Sequence, residues 1–570
     1  MSLDFFHKKE FVWLVFLAIF FVFVRLPAVH SPYHQDEYKW VQYSHPEIVA
    51  PGTVPHPPLT EFIYAKFLGP VVGDNNFRLI PLIFGIANLL LIFYLAKIIF
   101  PSTSSGQVNK TTLWSAGLFT ISFYSVLASL MVDVDGAVMP FFFLVMLVGY
   151  FKLKTGGFNL KDGNLKWLAV LIVGAVGGFL VKVSGVLPIF ALALDFAFEK
   201  NVFKDKVRIL KYFALGLFGV ITLVIVLFLA KYIFPFFNLE YSLNYWKHFA
   251  NSSSFLDRGW LQTFIQFAKA VMYTSPLLLL PLLFIDKEIW RKTRPFFLFI
   301  FIGLFFYLFA FDFSIGAMDR YFQFLIVPLC LISGAVFTKI FSNKEEKLEK
   351  IDFITISIIS VAIFVLQFFN HFVPALYPKT EWINRVISLK WNFLFPFTGG
   401  SGPTGFYISF VFLALIWICL VIFALSHFRI KNIQKRVFFC ILILGLLYNT
   451  VFVEEYLFGK INGSATKLAV SSVEFIKNNL EIKKVIVYNN NAGWSVMQTG
   501  KYERRMYTTP QFEDEYKKIL DSFNGHILFI DIPKISDDSF YTSYMNSCKV
   551  IYVEKDKYIT AKVLGCGKNK

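Results

Sequence analysis

The chain has 570 residues, of which 56% are hydrophobic, 19% aromatic and only 16% charged, where a soluble domain carries about 25% charged residues. With a mean hydropathy of +0.58, this composition excludes an ordinary soluble enzyme and predicts a polytopic α-helical membrane protein. The formal charge of +17 does not signal a nucleic-acid partner, because the basic residues fall in short loops between apolar runs, where they set topology.

A span takes about 20 apolar residues, fewer when it is buried in protein. In chain order thirteen runs qualify: 11–29, 77–100, 112–131, 136–151, 167–181, 183–198, 210–234, 268–285, 295–312, 319–338, 352–370, 406–427 and 437–453. The first follows Lys8 and Lys9 but lacks a small-residue cleavage site, so it reads as a retained span rather than a signal peptide. With the N-terminus cytoplasmic, alternate loops carry Lys152, Lys154, Lys161 and Lys166, then Lys200, Lys204, Lys206 and Arg208, then Lys287, Arg291, Lys292 and Arg294. Lys344, Lys347 and Lys350 follow, then Arg429, Lys431, Lys435 and Arg436. Thirteen spans keep all five clusters on one side and leave the C-terminus outside. Merging the short fifth and sixth runs would not.

This topology predicts a transmembrane domain over 1–453 and an extracytoplasmic domain over 454–570, in a bacterial or archaeal plasma membrane. The outer face receives 30–76, 235–267, 371–405 and the tail. In the tail, KKVIVY (483–488), HILFIDI (526–532) and KVIYVE (549–554) read as strands alternating with helical stretches near 465–480 and 511–523, a small α/β domain. Cys330, Cys419 and Cys440 lie inside apolar runs and read as core residues. Cys548 and Cys566 are placed to pair if the tail faces an oxidising compartment. NSS at 251–253 and NGS at 462–464 match glycosylation sequons, a pattern too short to decide anything.

The first outer loop holds Asp36, Glu37, Glu47, Glu61 and Asp74 with His34, His45 and His56. Glu47 and Asp74 read as solvated acids. Asp36 and Glu37 differ, because Pro32 and the end of the first span keep them near the membrane surface, where a buried charge costs roughly 2.5 to 3.5 kcal/mol. VPHPPLTEFIYAKFL (54–68) then predicts an interfacial helix over 57–69, with Leu59, Phe62, Ile63 and Phe67 on one face and Glu61 and Lys66 elsewhere.

Further ionisable residues fall at ends of spans on the same predicted side: Asp133 and Asp135 in LMVDVDGAVMPFFF, Lys182 in GGFLVKVSG, and Asp319 and Arg320 in GAMDRYFQFLIVP. Taken singly, Lys182 reads equally as a snorkelling lysine, and Asp319 with Arg320 as a helix anchor. Shared sidedness favours function. Lysine and arginine at that depth suit a lipid-anchored phosphate, a carboxylate suits proton removal from an incoming hydroxyl or amine, and aromatic spans suit an isoprenoid tail. The competing reading, a lipid or sugar transporter or flippase, predicts mid-membrane charges and a pseudo-symmetric repeat. Neither is evident in the sequence.

On QDEYKW, the HPPL run, DGAVMPFFFLVMLVGY, GGFLVKVSG and DRYFQFLIVPLCLISG, the chain resembles the GT-C class of integral-membrane glycosyltransferases. It is similar to the protein O-mannosyltransferases and their bacterial relatives, the lipid A aminoarabinose transferases. The order and spacing agree over roughly residues 10–340, and thirteen spans with a soluble outer tail match the aminoarabinose branch. The resemblance implies a GT-C fold and transfer of a monosaccharide, with inversion, from a polyprenyl-phosphate-linked sugar donor to a lipid, glycan or protein acceptor. It implies Asp36 as general base with Glu37 shaping the loop. Asp135, or Asp133, would bind the acceptor or the polar part of the donor, with Asp319 in the same polar pocket. His56 would contact the donor phosphate or a bound cation, and Lys182 and Arg320 would neutralise the phosphate leaving group. The aminoarabinose branch has an acid and a lysine before PPL, where this chain has Pro55 and His56, so its metal site does not carry over directly. The protein mannosyltransferases share HPPL but lack this tail. Phosphate is a competent leaving group at neutral pH, so no cofactor is required; a divalent cation remains compatible with His56.

Overall fold

A computed structural model describes the chain except for residues 1–7, 46–52, 102–108, 159–163, 253–258, 311–317, 344–345, 398–404, 429–432, 489 and 568–570. Each of the thirteen apolar runs contains helix. Among the described residues eight helices are long and apolar enough to cross a membrane, nine if one bent pair is a single span. The chain is an integral membrane protein, and the rest of the thirteen runs form shorter or interrupted helices. The run at 112–131 breaks at Ser122, whose extended backbone separates Lys110–Ile121 from Phe123–Ala128. The pair Thr263–Thr274 and Pro276–Phe284 bends by 81°. There Ser275 takes φ 75° and its hydroxyl caps the Leu277 amide, immediately before a proline that cannot extend the preceding helix.

The chain divides into two compact units, one of residues 1–29, 39–347 and 427–441, the other of 30–38, 348–426 and 442–570. In the first, helix Lys8–Arg25 is tied to helix Leu79–Ile99 by Glu10, which accepts from Lys97 at 2.7 Å and from the Asn109 amide at 3.2 Å. Helices Val138–Thr155 and Leu165–Val181 pack backbone to backbone. A Cβ on Gly174 would lie 2.3 Å from the Met146 nitrogen, and one on Gly149 2.5 Å from the Leu171 nitrogen. Small residues at such contacts let helices pack where lipid removes the hydrophobic drive.

The predicted interfacial helix is present. It runs as Pro58–Glu61 and continues as a π-helix over Phe62–Leu68. Phe67, on the apolar face, is 58% exposed on the protein surface, while Glu61 lies off that face, buried with Ile63, Tyr64 and Ala65.

The second unit contains a two-stranded antiparallel sheet of β1 (Leu394–Phe397) and β2 (Phe406–Ser409). It also contains a five-stranded sheet of β3 (Val485–Val487), β4 (Tyr502–Arg505), β5 (Gly525–Ile530), β6 (Lys549–Asp556) and β7 (Ile559–Cys566) in the order β4-β3-β5-β7-β6. β4 and β5 flank β3 in parallel, while β7 pairs antiparallel with β5 and β6. Alternation along the strands fills two cores. Val485, Val487, Leu528, Ile530 and Val563 pack with Leu468 and Ile476 of helix Ala465–Asn478. Ile486, Ile527 and Leu564 pack on the other face with Tyr516, Leu520, Tyr541 and Met545. All three predicted tail strands are present. β4 and β7 were not anticipated, because YERR reads as solvated charge and ITAKVLGC is weakly alternating. Cys548 and Cys566 form a disulfide. The sequon residue Asn462 is fully buried and donates to the Tyr407 carbonyl at 3.1 Å, so it is no glycan acceptor in the folded chain; the sequon at 251–253 extends outside the described residues.

Candidate active site

In the first unit, three interruptions of regular helix bring together the ionisable residues singled out in the sequence. The first is the irregular stretch after Phe123–Ala128. Two buried arginines grip the carbonyls and hydroxyls around it. Arg25 donates to Ser129 Oγ at 2.5 Å, Ser125 Oγ at 3.1 Å and the carbonyls of Phe21 and Thr120 at 2.9 and 3.2 Å. Arg78 donates to the Leu130 carbonyl at 2.6 Å. Carbonyls at the end of a helix lack intrahelical partners, and a guanidinium supplies several donors in a fixed fork. Asp133 accepts from the Val134 amide at 2.6 Å, a local bond that favours a turn over a helix.

Asp133 meets Arg320 at 2.7 Å, and both Asp135 oxygens meet Lys182 Nζ, at 2.6 and 2.7 Å. Lys182 lies in the second interruption, an extended residue after helix Leu165–Val181. Arg320 lies in the third, a single turn, Met318–Tyr321, that leads through a 3-10 segment into Ile326–Ser342. Tyr321 joins the pairs: its ring faces Lys182 Nζ at 4.2 Å and the Arg320 guanidinium at 4.7 Å, and its hydroxyl accepts from Arg320 at 2.9 Å. Tyr307 stacks on Tyr321 at 5.7 Å. Asp135, Ser184, Tyr307, Arg320, Tyr321 and Gln323 face one cavity of about 40 Å³ whose remaining wall is apolar, with Phe143, Leu187 and Phe299 in it.

The HPPL segment is bonded to two of the interruptions. Thr60 donates to the Val181 carbonyl at 3.1 Å, and Tyr64 to the Asp133 carbonyl at 3.3 Å. His56 stacks on Trp40 at 6.0 Å, and the Pro55 carbonyl beside it accepts from Trp246 at 2.9 Å. Burial pushes the Glu61 carboxyl up to about 7, against the pull of Lys66, whose ammonium is 3.7 Å away.

Asp36 and Glu37 group with the second unit. Both lie in the first turn of helix Gln35–Gln42. Buried Glu37 reaches back to accept from the His34 amide at 2.8 Å, the reciprocal half of a capping box, while half-buried Asp36 donates its amide to His34 Nδ1 at 3.3 Å. The side chain of Asp319 lies outside the described residues.

No known protein family matches the sequence, and no curated protein matches it. Solved structures do match in three dimensions. ArnT from Cupriavidus metallidurans, bound to undecaprenyl phosphate, superposes with a TM-score of 0.52 at 13% identity, covering 98% of each chain. The same protein in its apo state gives 0.51 at 13% identity with the same coverage. The fold is of the GT-C type. An oligosaccharyltransferase from Archaeoglobus fulgidus, at TM-score 0.32, 12% identity and 64% coverage of that protein, is too distant to add to this.

In this chain the sequence located Asp133, Asp135, Lys182 and Arg320, and the structure joins them into two ion pairs. It missed Tyr307 and Tyr321, which carried no signal among 26 tyrosines, and it did not foresee the burial of Glu61. Among the described residues no three His, Cys, Asp or Glu side chains are grouped to hold a metal ion. His56 would have to find its partners elsewhere.

Proposed function

We propose that the protein is an inverting glycosyltransferase that moves a monosaccharide from a polyprenyl-phosphate donor to an acceptor on the extracytoplasmic face. The observation that carries this reading is the pair of salt bridges, Asp135 with Lys182 and Asp133 with Arg320, that share Tyr321 where long helices are interrupted beside a cavity. Charge kept on irregular backbone in a membrane protein is expected where it lines a functional cavity. The undecaprenyl phosphate bound by ArnT, which has the same fold, supports a lipid phosphate as ligand. The Cys548–Cys566 disulfide supports an oxidising, extracytoplasmic location for the tail.

In the proposed reaction an acceptor hydroxyl or amine attacks the anomeric carbon while the bond from that carbon to the phosphate oxygen breaks. The proton goes to Asp36 and the bonding pair leaves with the phosphate. Lys182 and Arg320 stabilise the growing phosphate charge, and their aspartates keep both cations in place before donor binds. In this reading His56 borders the donor phosphate, Glu37 holds the Asp36 turn, and Asp133 and Asp135 form the polar pocket to which the family resemblance also assigns Asp319. No step calls for a divalent ion.

The test is release of polyprenyl phosphate from polyprenyl-phosphate sugars by the purified protein, compared with Asp36→Asn. Loss of a general base predicts about a 10² to 10⁴-fold fall in rate. Normal turnover by a folded, donor-binding variant would remove Asp36 from the mechanism. Chelator is expected to leave the rate unchanged; loss of transfer restored by one divalent ion would overturn the metal-free reading.

A further inference from the structure

Residues 30–38 belong to the same compact unit as the tail, and the contacts show how they are gripped. Buried Tyr38 stacks on Trp494 at 6.2 Å. Gly493 makes this possible, since a Cβ there would stand only 3.3 Å from the Tyr38 ring. The Tyr38 and Tyr502 hydroxyls are hydrogen-bonded to each other. Two residues along the chain from Tyr38, Asp36 is near enough for its charge to act on Arg505. The Arg505 guanidinium lies 4.3 Å over the Tyr507 ring and hydrogen-bonds to that side chain, while Tyr516 holds the backbone at this position by donating to the Arg505 carbonyl.

The topology of the sheet explains why these groups lie together. β3 sits between β4 and β5 and runs parallel to both. The chain therefore leaves β3 to one side and returns to the other. In sheets of this kind functional groups collect beyond the carboxyl ends of the strands, where the order reverses. Arg505 is the last residue of β4, and Trp494 follows the carboxyl end of β3.

We propose that Arg505 is a positioning residue for Asp36, so that the tail domain contributes to the reaction through the base it holds. This rests on the reading of Asp36 as the base. Burial holds the Arg505 guanidinium below its usual value, and Tyr507 and Asp36 oppose that effect. Arginine nevertheless stays charged at any working pH, so it presents a permanent positive charge that favours the proton-accepting form of the carboxylate. The other titratable groups about Asp36 are His34, Glu37, Tyr38 and Lys39 on its own segment, and Tyr502 and Tyr507 on the tail. Glu503, adjacent in β4, pairs instead with Lys484 at 3.9 Å.

The test has two arms on the full-length protein. In the first, the pH–rate profile of donor turnover is recorded for wild type, Arg505→Lys and Arg505→Gln. Removing a cation beside a carboxylate predicts that the acid limb in Arg505→Gln moves up by about one pH unit, with most of the shift recovered in Arg505→Lys; an acid limb unmoved in Arg505→Gln overturns the proposal. In the second, melting temperatures of wild type, Asp36→Asn, Arg505→Gln and the double variant form a cycle independent of activity. Non-additive shifts are expected for interacting groups, and additive shifts overturn the proposal. Should Asp36→Asn turn donor over normally, the base assignment falls, and the melting cycle alone then decides whether Arg505 grips Asp36.

Discussion

Asp135 and Asp195 are carboxylates with little or no exposure that meet a lysine, at 2.6 Å from Lys182 and 2.7 Å from Lys154, at opposite ends of helix Val138–Thr155. Their surroundings differ. Asp195 stands on regular helix Val186–Glu199 and is saturated. Tyr150 donates to it at 2.5 Å, Lys154 and the Arg294 side chain bind its oxygens, and Arg294 also donates to its carbonyl at 3.1 Å. Glu199 adds a second acid, 3.2 Å from Arg294 and 3.5 Å from Lys154. Three helices are stapled there. The Asp135 group stands on turns, borders a cavity and is backed by tyrosine rings. The lesson is that charge type and burial alone do not distinguish a staple from a site; backbone regularity and the presence of adjoining space do.

The largest effect expected from this contrast is on stability. Asp195→Ala leaves Lys154 and Arg294 without their buried partner, which predicts a loss of about 3 to 5 kcal/mol, read as a lower melting temperature. The surviving folded fraction should bind donor normally. Arg320→Ala is expected to do the reverse, cutting donor turnover about 10² to 10³-fold, or roughly 2.7 to 4 kcal/mol of transition-state stabilisation, with a smaller change in melting temperature. A large stability loss and unchanged turnover in Arg320→Ala would move the Asp133 pair into the staple class.

The apolar runs made most of the fold legible, because helices that face lipid must satisfy their backbone internally and so announce themselves by length and hydropathy. What the runs did not reveal were the places where helix stops. The break at Ser122, the bend at Ser275 and the π-helix over Phe62–Leu68 all fall inside runs that read as continuous apolar or amphipathic sequence. For the site, the acids and bases were readable as exceptions to apolar sequence, and their common location followed from topology. Their aromatic partners were not, since nothing in the sequence sets Tyr307 and Tyr321 apart from the other tyrosines. Arg505 lay hidden in YERR, which resembles any solvated charged stretch until the sheet places it at the end of β4.

The most direct measurement compares two lysines at opposite ends of one helix pair: donor turnover in Lys182→Met against Lys154→Met, each checked for folding and donor binding. If the Asp135 pair belongs to the reaction centre, Lys182→Met loses turnover about 10²-fold or more, while Lys154→Met, whose Asp195 keeps Tyr150 and Arg294, stays within about twofold of wild type. Equal losses in the two variants, or full turnover in Lys182→Met, would contradict the assignment.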